Sequence, residues 1–152
     1  IVMIRVYTKT RHISKISKFL NQINIEYEIF TTLNPPEHEL KPFELGVSYC
    51  YPRKIKEPLL SIPSKGFINY HPGPLPKYKG PKESTDAINN KEMYWGVTVH
   101  KMDENYDTGR IIEVLEIELH EPPTSTMELG AVSHYFLFDL FKKTIKKIYE
   151  SN

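Results

Sequence analysis

Apolar positions change their spacing twice between Ile1 and Thr31. Ile1–Tyr7 (IVMIRVY) is a compact β-branched run and predicts a strand. Ile13, Ile16, Phe19, Leu20 and Ile23 then recur at helical spacing, with Thr10 placed as an N-cap. Tyr27–Thr31 predicts a second strand, stopped by the breaker Pro35-Pro36. Strand, helix and strand in this order predict a parallel βαβ unit. Leu45–Cys50 predicts a third strand and Lys56–Leu60 a short helix. Phe67–Tyr70 predicts a fourth strand, which runs into the proline-rich segment HPGPLPKYKGPK.

Ser84–Asn89 predicts a helical turn, and Trp95–Met102 and Arg110–Leu119 predict strands flanking the polar loop DENYDTG. Ser125, with Glu128 three residues on, forms a capping-box pattern. The helix it opens carries Leu129, Val132, Phe136, Leu140, Phe141, Ile145 and Ile148 on or near one face. Its last turns hold Lys142, Lys143, Lys146 and Lys147, expected to form a solvated face that complements the helix dipole. Early strands alternating with helices place the chain in the α/β class, and 152 residues suit a single domain over 1–152.

Charge and composition narrow the partners. Twenty Lys+Arg against nineteen Asp+Glu leave a net charge of +1, so no general basic field is present and no nucleic-acid partner is expected. No apolar run approaches the roughly 18 residues of a membrane span, and no signal-peptide pattern opens the chain. No membrane partner is therefore expected. The only cysteine, Cys50, excludes an internal disulfide and suits a reducing, cytoplasmic setting. The histidines show no regular ligand spacing and no cysteine cluster accompanies them, so no metal is expected.

In α/β sheets, ligands bind beyond the carboxyl ends of strands. Asn69 and His71 lie two apart at the end of the fourth strand and would project together. The loop after Trp95–Met102 contains Asp103, Glu104 and Asp107. An amide, an imidazole and a carboxylate meeting at one sheet edge suit acyl transfer to an amine, whose tetrahedral oxyanion needs donors where charge develops. Asn69 and a protonated His71 can donate. Asp107 can orient the imidazole or accept the proton the amine loses. The same three residues could equally be turn-formers at strand ends.

The full strings go further. FINYHPGPLPKYKG, from Phe67 to Gly80, resembles the signature of the folate-dependent formyltransferases: an Asn-x-His-Pro start, a Leu-Pro and a closing glycine. WGVTVH, from Trp95 to His100, and MDENYDTG, from Met102 to Gly109, are similar to that family's G-V-T-x-H strand and D-E-x-x-D-x-G loop. His71 and Asp107 stand 36 positions apart, as the motif requires. The resemblance implies a Rossmann-like, three-layer formyltransferase fold with a mainly parallel central sheet. It implies Asn69, His71 and Asp107 as catalytic residues, 10-formyltetrahydrofolate as formyl donor and a primary amine as acceptor. It also implies a pterin pocket formed mostly by backbone at Tyr51–Ile55 and Asp103–Asp107, with Tyr51, Arg53, Ile55 and Asp103 as cofactor-binding candidates.

Departures from the family pattern bear on the acceptor. Only 68 residues precede Asn69, which suggests an abbreviated amino-terminal half, and no carboxy-terminal accessory domain is expected after the last helix. Where glycinamide ribonucleotide transformylases carry a glycine-rich phosphate loop, this chain reads Tyr7-Thr8-Lys9-Thr10-Arg11-His12. Thr8, Thr10 and Arg11 could still hold a phosphate at a helix N-terminus, with plain capping as the alternative. Neutral charge argues against a tRNA acceptor. The Pro-Leu-Pro loop resembles versions acting on nucleotide-linked amino sugars, so a small-molecule amine, a nucleotide sugar first, is the expected acceptor. Lys77, Lys79 and Lys82 could meet an anionic acceptor or line a solvated loop. A sheet edge left open by the short first half could pair with a second copy in a homodimer. Formyltetrahydrofolate hydrolysis, glycinamide ribonucleotide formylation and a non-catalytic folate-binding or interaction module stay open as alternatives.

Overall fold

A computed structural model describes residues 2–31, 40–75, 83–103 and 109–150. Asp107, Glu104, the lysines at 77, 79 and 82, and Pro35-Pro36 lie outside the described residues. The strands form one mixed, mostly parallel six-stranded sheet in the order β2-β1-β3-β4-β5-β6. The chain groups into two compact units, Ile1–Asn69 with Lys101–Gly109, and Tyr70–His100 with Arg110–Asn152.

The first unit contains the expected βαβ. Strand β1 (Ile4–Thr8) pairs in parallel with both β2 (Tyr27–Phe30) and β3 (Leu45–Tyr49). Every residue of β1 and β3 is buried, as strands covered on both faces must be. This includes Arg5, whose guanidinium pairs with Glu28 opposite it on β2 at 3.2 Å and lies 4.4 Å from the Phe43 ring centroid. Helix α1 (Ile13–Gln22) buries Ile16, Phe19 and Leu20. Thr10 is not its N-cap: Thr10–His12 form a 3-10 turn, and no side chain caps α1 at His12. At the other end Asn24 adopts φ 57°, while Asn24 N–H donates to Asn21 O and Ile25 N–H to Leu20 O. These two bonds close the helix in the manner usually left to glycine.

The expected helix at Lys56–Leu60 is instead a 3-10 turn at Leu59–Ser61. Pro58 has no N–H to donate and biases the residue before it away from helical angles. The turn contributes Leu59 to an apolar cluster with Tyr7, Phe43, Ile55 and Phe67. Strand β4 (Phe67–His71) is one residue longer than expected and takes in His71 itself.

The second unit holds α2 (Glu83–Asn89), β5 (Tyr94–Lys101), β6 (Ile111–Glu118) and α3 (Thr126–Glu150). Strands β5 and β6 are antiparallel, with an irregularity between Val99 and His100. Ser125 Oγ accepts from Glu128 N–H at 3.1 Å, one arm of the expected capping box. The Glu128 carboxylate turns to the Thr124 hydroxyl instead. The buried face of α3 is wider than its apolar stripe, because Ser133 and Thr144 lie on it beside Leu129, Leu137, Leu140, Phe141 and Ile145. Ser133 Oγ accepts from the Trp95 indole at 2.8 Å, and Thr144 Oγ1 lies 2.6 Å from the Tyr70 hydroxyl. Of the α3 lysines, Lys143, Lys146 and Lys147 are exposed as expected, and Lys143 and Lys147 also reach Glu113 on β6 at 2.6 and 3.1 Å.

Candidate active site

Strand β4 presents the first two candidate residues. Asn69 and His71 stand two apart within it, so strand alternation sends both to the same face and Tyr70 to the other. Asn69 is half-buried and His71 is buried, 5% exposed. Tyr70 anchors the strand from behind. The one Thr144 hydroxyl proton is engaged by the helix carbonyl of Leu140 at 2.8 Å, so the Tyr70 hydroxyl donates to Thr144 Oγ1. The Phe141 ring meets the Tyr70 ring edge-on at 5.3 Å. Burial, which outweighs the Thr144 hydrogen bond, raises the Tyr70 phenol well above its ordinary range and keeps it neutral.

Beyond His71 the chain is held by Thr98. This residue is fully buried in β5, donates its hydroxyl to Gly73 O at 2.8 Å and accepts from Leu75 N–H at 3.1 Å. The G-V-T-x-H string contains Thr98, yet periodicity gives it no role. A polar residue between Val97 and Val99 in a buried strand is the signal that could have found it.

In the first unit, the cofactor candidates gather around one cluster. Ile55 is part of the apolar core, 2% exposed. Tyr51 is half-buried against it, its ring edge-on to Tyr7 at 5.5 Å. Arg53 and Asp103 are exposed. Met102, which leads into the acidic loop, packs on the same cluster as Tyr51. The Tyr51–Ile55 stretch and the residue just before Asp103 thus touch one apolar platform.

The acidic loop departs from the expected layout at its start. Met102 N–H donates to Phe67 O at 2.9 Å, so the loop leaves beside the beginning of β4 and not beside its carboxyl end. At its far end Gly109 makes a close approach: a Cβ there would fall 1.6 Å from Lys101 O. Only glycine allows the two loop ends to meet in this way, which gives the last position of the D-E-x-x-D-x-G string its physical reason.

Two other candidates have structural employment. Thr8 donates its hydroxyl to Tyr49 O at 2.6 Å, across from β1 to β3. His12 is buried, edge-on to the Tyr49 ring at 5.3 Å, and Arg11 Nε donates to its Nε2 at 3.2 Å. Burial pushes the Cys50 thiol up to about 11, against the lowering influence of Arg11, Lys15 and Lys9, so it stays protonated at neutral pH and is a poor nucleophile.

Comparison with known proteins assigns this geometry a family. The sequence profile of the formyl transferase family matches residues 37–132. The methionyl-tRNA formyltransferase of Chloroflexus aurantiacus is 38% identical over 82 residues, 54% of this chain and 26% of its own length. That of Acetivibrio thermocellus is 31% identical over 141 residues, 90% of this chain and 45% of its own. The chain thus spans less than half the length of these two relatives. Among solved structures, a 4-N formyltransferase from Francisella tularensis superposes with a TM-score of 0.78 at 25% identity, covering 99% of this chain and 70% of that one. The formyltransferase PseJ from Anoxybacillus kamchatkensis, in complex with UDP-4,6-dideoxy-4-formamido-L-AltNAc and tetrahydrofolate, gives 0.75 at 24%, covering 96% and 76%.

Proposed function

The chain belongs to the formyl transferase family, and from that premise we propose that it transfers the formyl group of 10-formyltetrahydrofolate to a primary amine of a small molecule. The observation that carries this reading is the pair Asn69 and His71, two apart on one face of β4 within the matched stretch.

The amine attacks the formyl carbon, a C–N bond forms, and the carbonyl oxygen becomes an oxyanion. The Asn69 amide and the protonated His71 imidazole donate to that oxygen. Asp107 supports the imidazole and takes the proton that the amine sheds. Collapse of the tetrahedral centre breaks the bond to N10 of the folate, and the proton ends on that nitrogen. The Tyr51–Ile55 stretch and the loop beginning at Asp103 would hold the pterin, with Tyr51, Arg53, Ile55 and Asp103 contributing mainly backbone contacts.

The acceptor we infer is a nucleotide-linked amino sugar. Its support is the Pro-Leu-Pro form of the loop after His71 and a net charge of only +1, which offers a tRNA little electrostatic attraction. The amino-terminal phosphate site of the glycinamide ribonucleotide reading is less favoured, because the Thr8 hydroxyl is taken by Tyr49 O. The whole of 1–152 acts as one catalytic domain in this reading.

The test is formyl transfer from 10-formyltetrahydrofolate to UDP- and dTDP-linked 4-amino sugars, followed by product mass. Turnover is expected with the wild-type chain. His71→Ala should lower kcat by about 10²–10³, since a single oxyanion donor is worth that much. Its far-ultraviolet circular dichroism should be unchanged. Wild-type turnover in that variant sinks the catalytic assignment, and formate release without amine transfer would identify a hydrolase.

A further inference from the structure

We propose that Thr98 is a positioning residue of this site, one whose hydroxyl fixes the path of the chain leaving His71 and so aims the imidazole. The inference rests on the formyl-transfer reading and deepens it, because nothing in the chemistry requires a hydroxyl at this place.

The need for such a residue is written in the segment after β4. Pro72 and Pro74 carry no N–H, so Pro72–Leu75 can offer donors only at Gly73 and Leu75. A segment with alternate donors missing can bond through its N–H groups along one side only. Thr98 takes one of those donors and one carbonyl of the segment at once, its hydroxyl accepting from Leu75 N–H at 3.1 Å and donating to Gly73 O at 2.8 Å. Gly73 is buried, Leu75 is 6% exposed and Thr98 is 0% exposed, so water cannot stand in for either bond.

The clamp grips the chain two and four residues past His71. On the His71 side, Tyr70 is tied to Thr144 on α3 at 2.6 Å. The imidazole therefore sits between two buried anchors, one before it and one after it. A catalytic group has to be held within a fraction of an ångström of its working position, and displacements of about 1 Å from a distant change cost about 10²-fold in rate.

The experiment compares Thr98→Val, which keeps the shape and loses the hydroxyl, with Thr98→Ser, which keeps the hydroxyl. In Thr98→Val, kcat should fall about 10- to 100-fold while KM for the acceptor and folate affinity stay near wild type. The Leu75 amide, protected from hydrogen exchange in wild type, should lose its protection. Thr98→Ser should restore both. Wild-type kcat in Thr98→Val overturns the inference, and so does an equal kcat loss in Thr98→Ser with Leu75 still protected. Should Thr98→Val not fold, the wild-type chain decides: a Leu75 amide exchanging as fast as an open loop overturns it, and a protected one together with a wild-type-like Thr98→Ser upholds it. Should wild type transfer no formyl group, the proposed function falls. The inference is then judged on the His71 ring resonances, which must shift or broaden in Thr98→Val and overturn it if unchanged.

Discussion

Tyr70 sits between the two residues assigned the chemistry and faces the other way. Its hydroxyl is fully buried and ends on Thr144, so Tyr70→Phe removes a donor and leaves an acceptor lone pair without its partner. The expected loss is about 1 kcal/mol of stability, read from urea unfolding. Residues of this kind were hidden from the sequence. Asn69 and His71 are legible because a motif and a two-residue spacing mark them together. Thr98, Ser133 and Thr144 receive no role from the pattern, since periodicity sorts residues by polarity and cannot see that a buried hydroxyl has found a partner. Arg5 escaped for the same reason: a cation in β1 is acceptable only because Glu28 and the Phe43 ring receive it.

An apolar rhythm marks the elements of this chain well and their ends less well. Strands β1, β3, β5 and β6 all start or stop within a few residues of expectation, whereas the Lys56–Leu60 helix failed at Pro58 and α1 starts three residues past Thr10. Caps depend on single backbone angles and bonds, and those leave little trace in composition. The contact between β6 and α3 was also invisible, being made by charges at unrelated positions. Burial alone would raise the Glu113 carboxyl, but hydrogen bonds from Lys143 and Lys147 outweigh it and hold the group below its ordinary value. A carboxyl lowered in the folded state stabilises above its unfolded pKa, and the contribution fades as pH falls through the lowered value. Glu113→Gln should therefore lose about 0.5 kcal/mol near pH 7, a small figure because both lysines are more than half exposed. Urea unfolding at neutral and strongly acidic pH checks this: the difference from wild type should vanish in acid.

At the scale of the whole molecule, the α/β class and the parallel start of the sheet follow from alternating elements, because a parallel pair needs a crossover and α1 supplies it. The strand order is another matter. That β3 lies beside β1 and that β5 and β6 turn antiparallel comes from packing between distant segments, for which a lone sequence carries no spacing signal. Of the two outer strands, β6 sets Glu116 and Glu118 along its length, exposed charges that discourage a second chain from adding to it. Among the described residues no helix is long and apolar enough to cross a membrane.

The bond between Trp95 and Ser133 has a spectroscopic consequence. The chain has one tryptophan, and its indole is 2% exposed, hydrogen-bonded, and walled by Ala87, Ile117 and Leu129 of the second compact unit. Its fluorescence is thus a local gauge. Emission should be short in wavelength in the native chain and move to the red only when Tyr70–His100 and Arg110–Asn152 come apart, while circular dichroism sums both units. Denaturation curves from the two signals should coincide if the halves melt as one body. A tryptophan transition displaced from the dichroism curve would give each half a stability of its own.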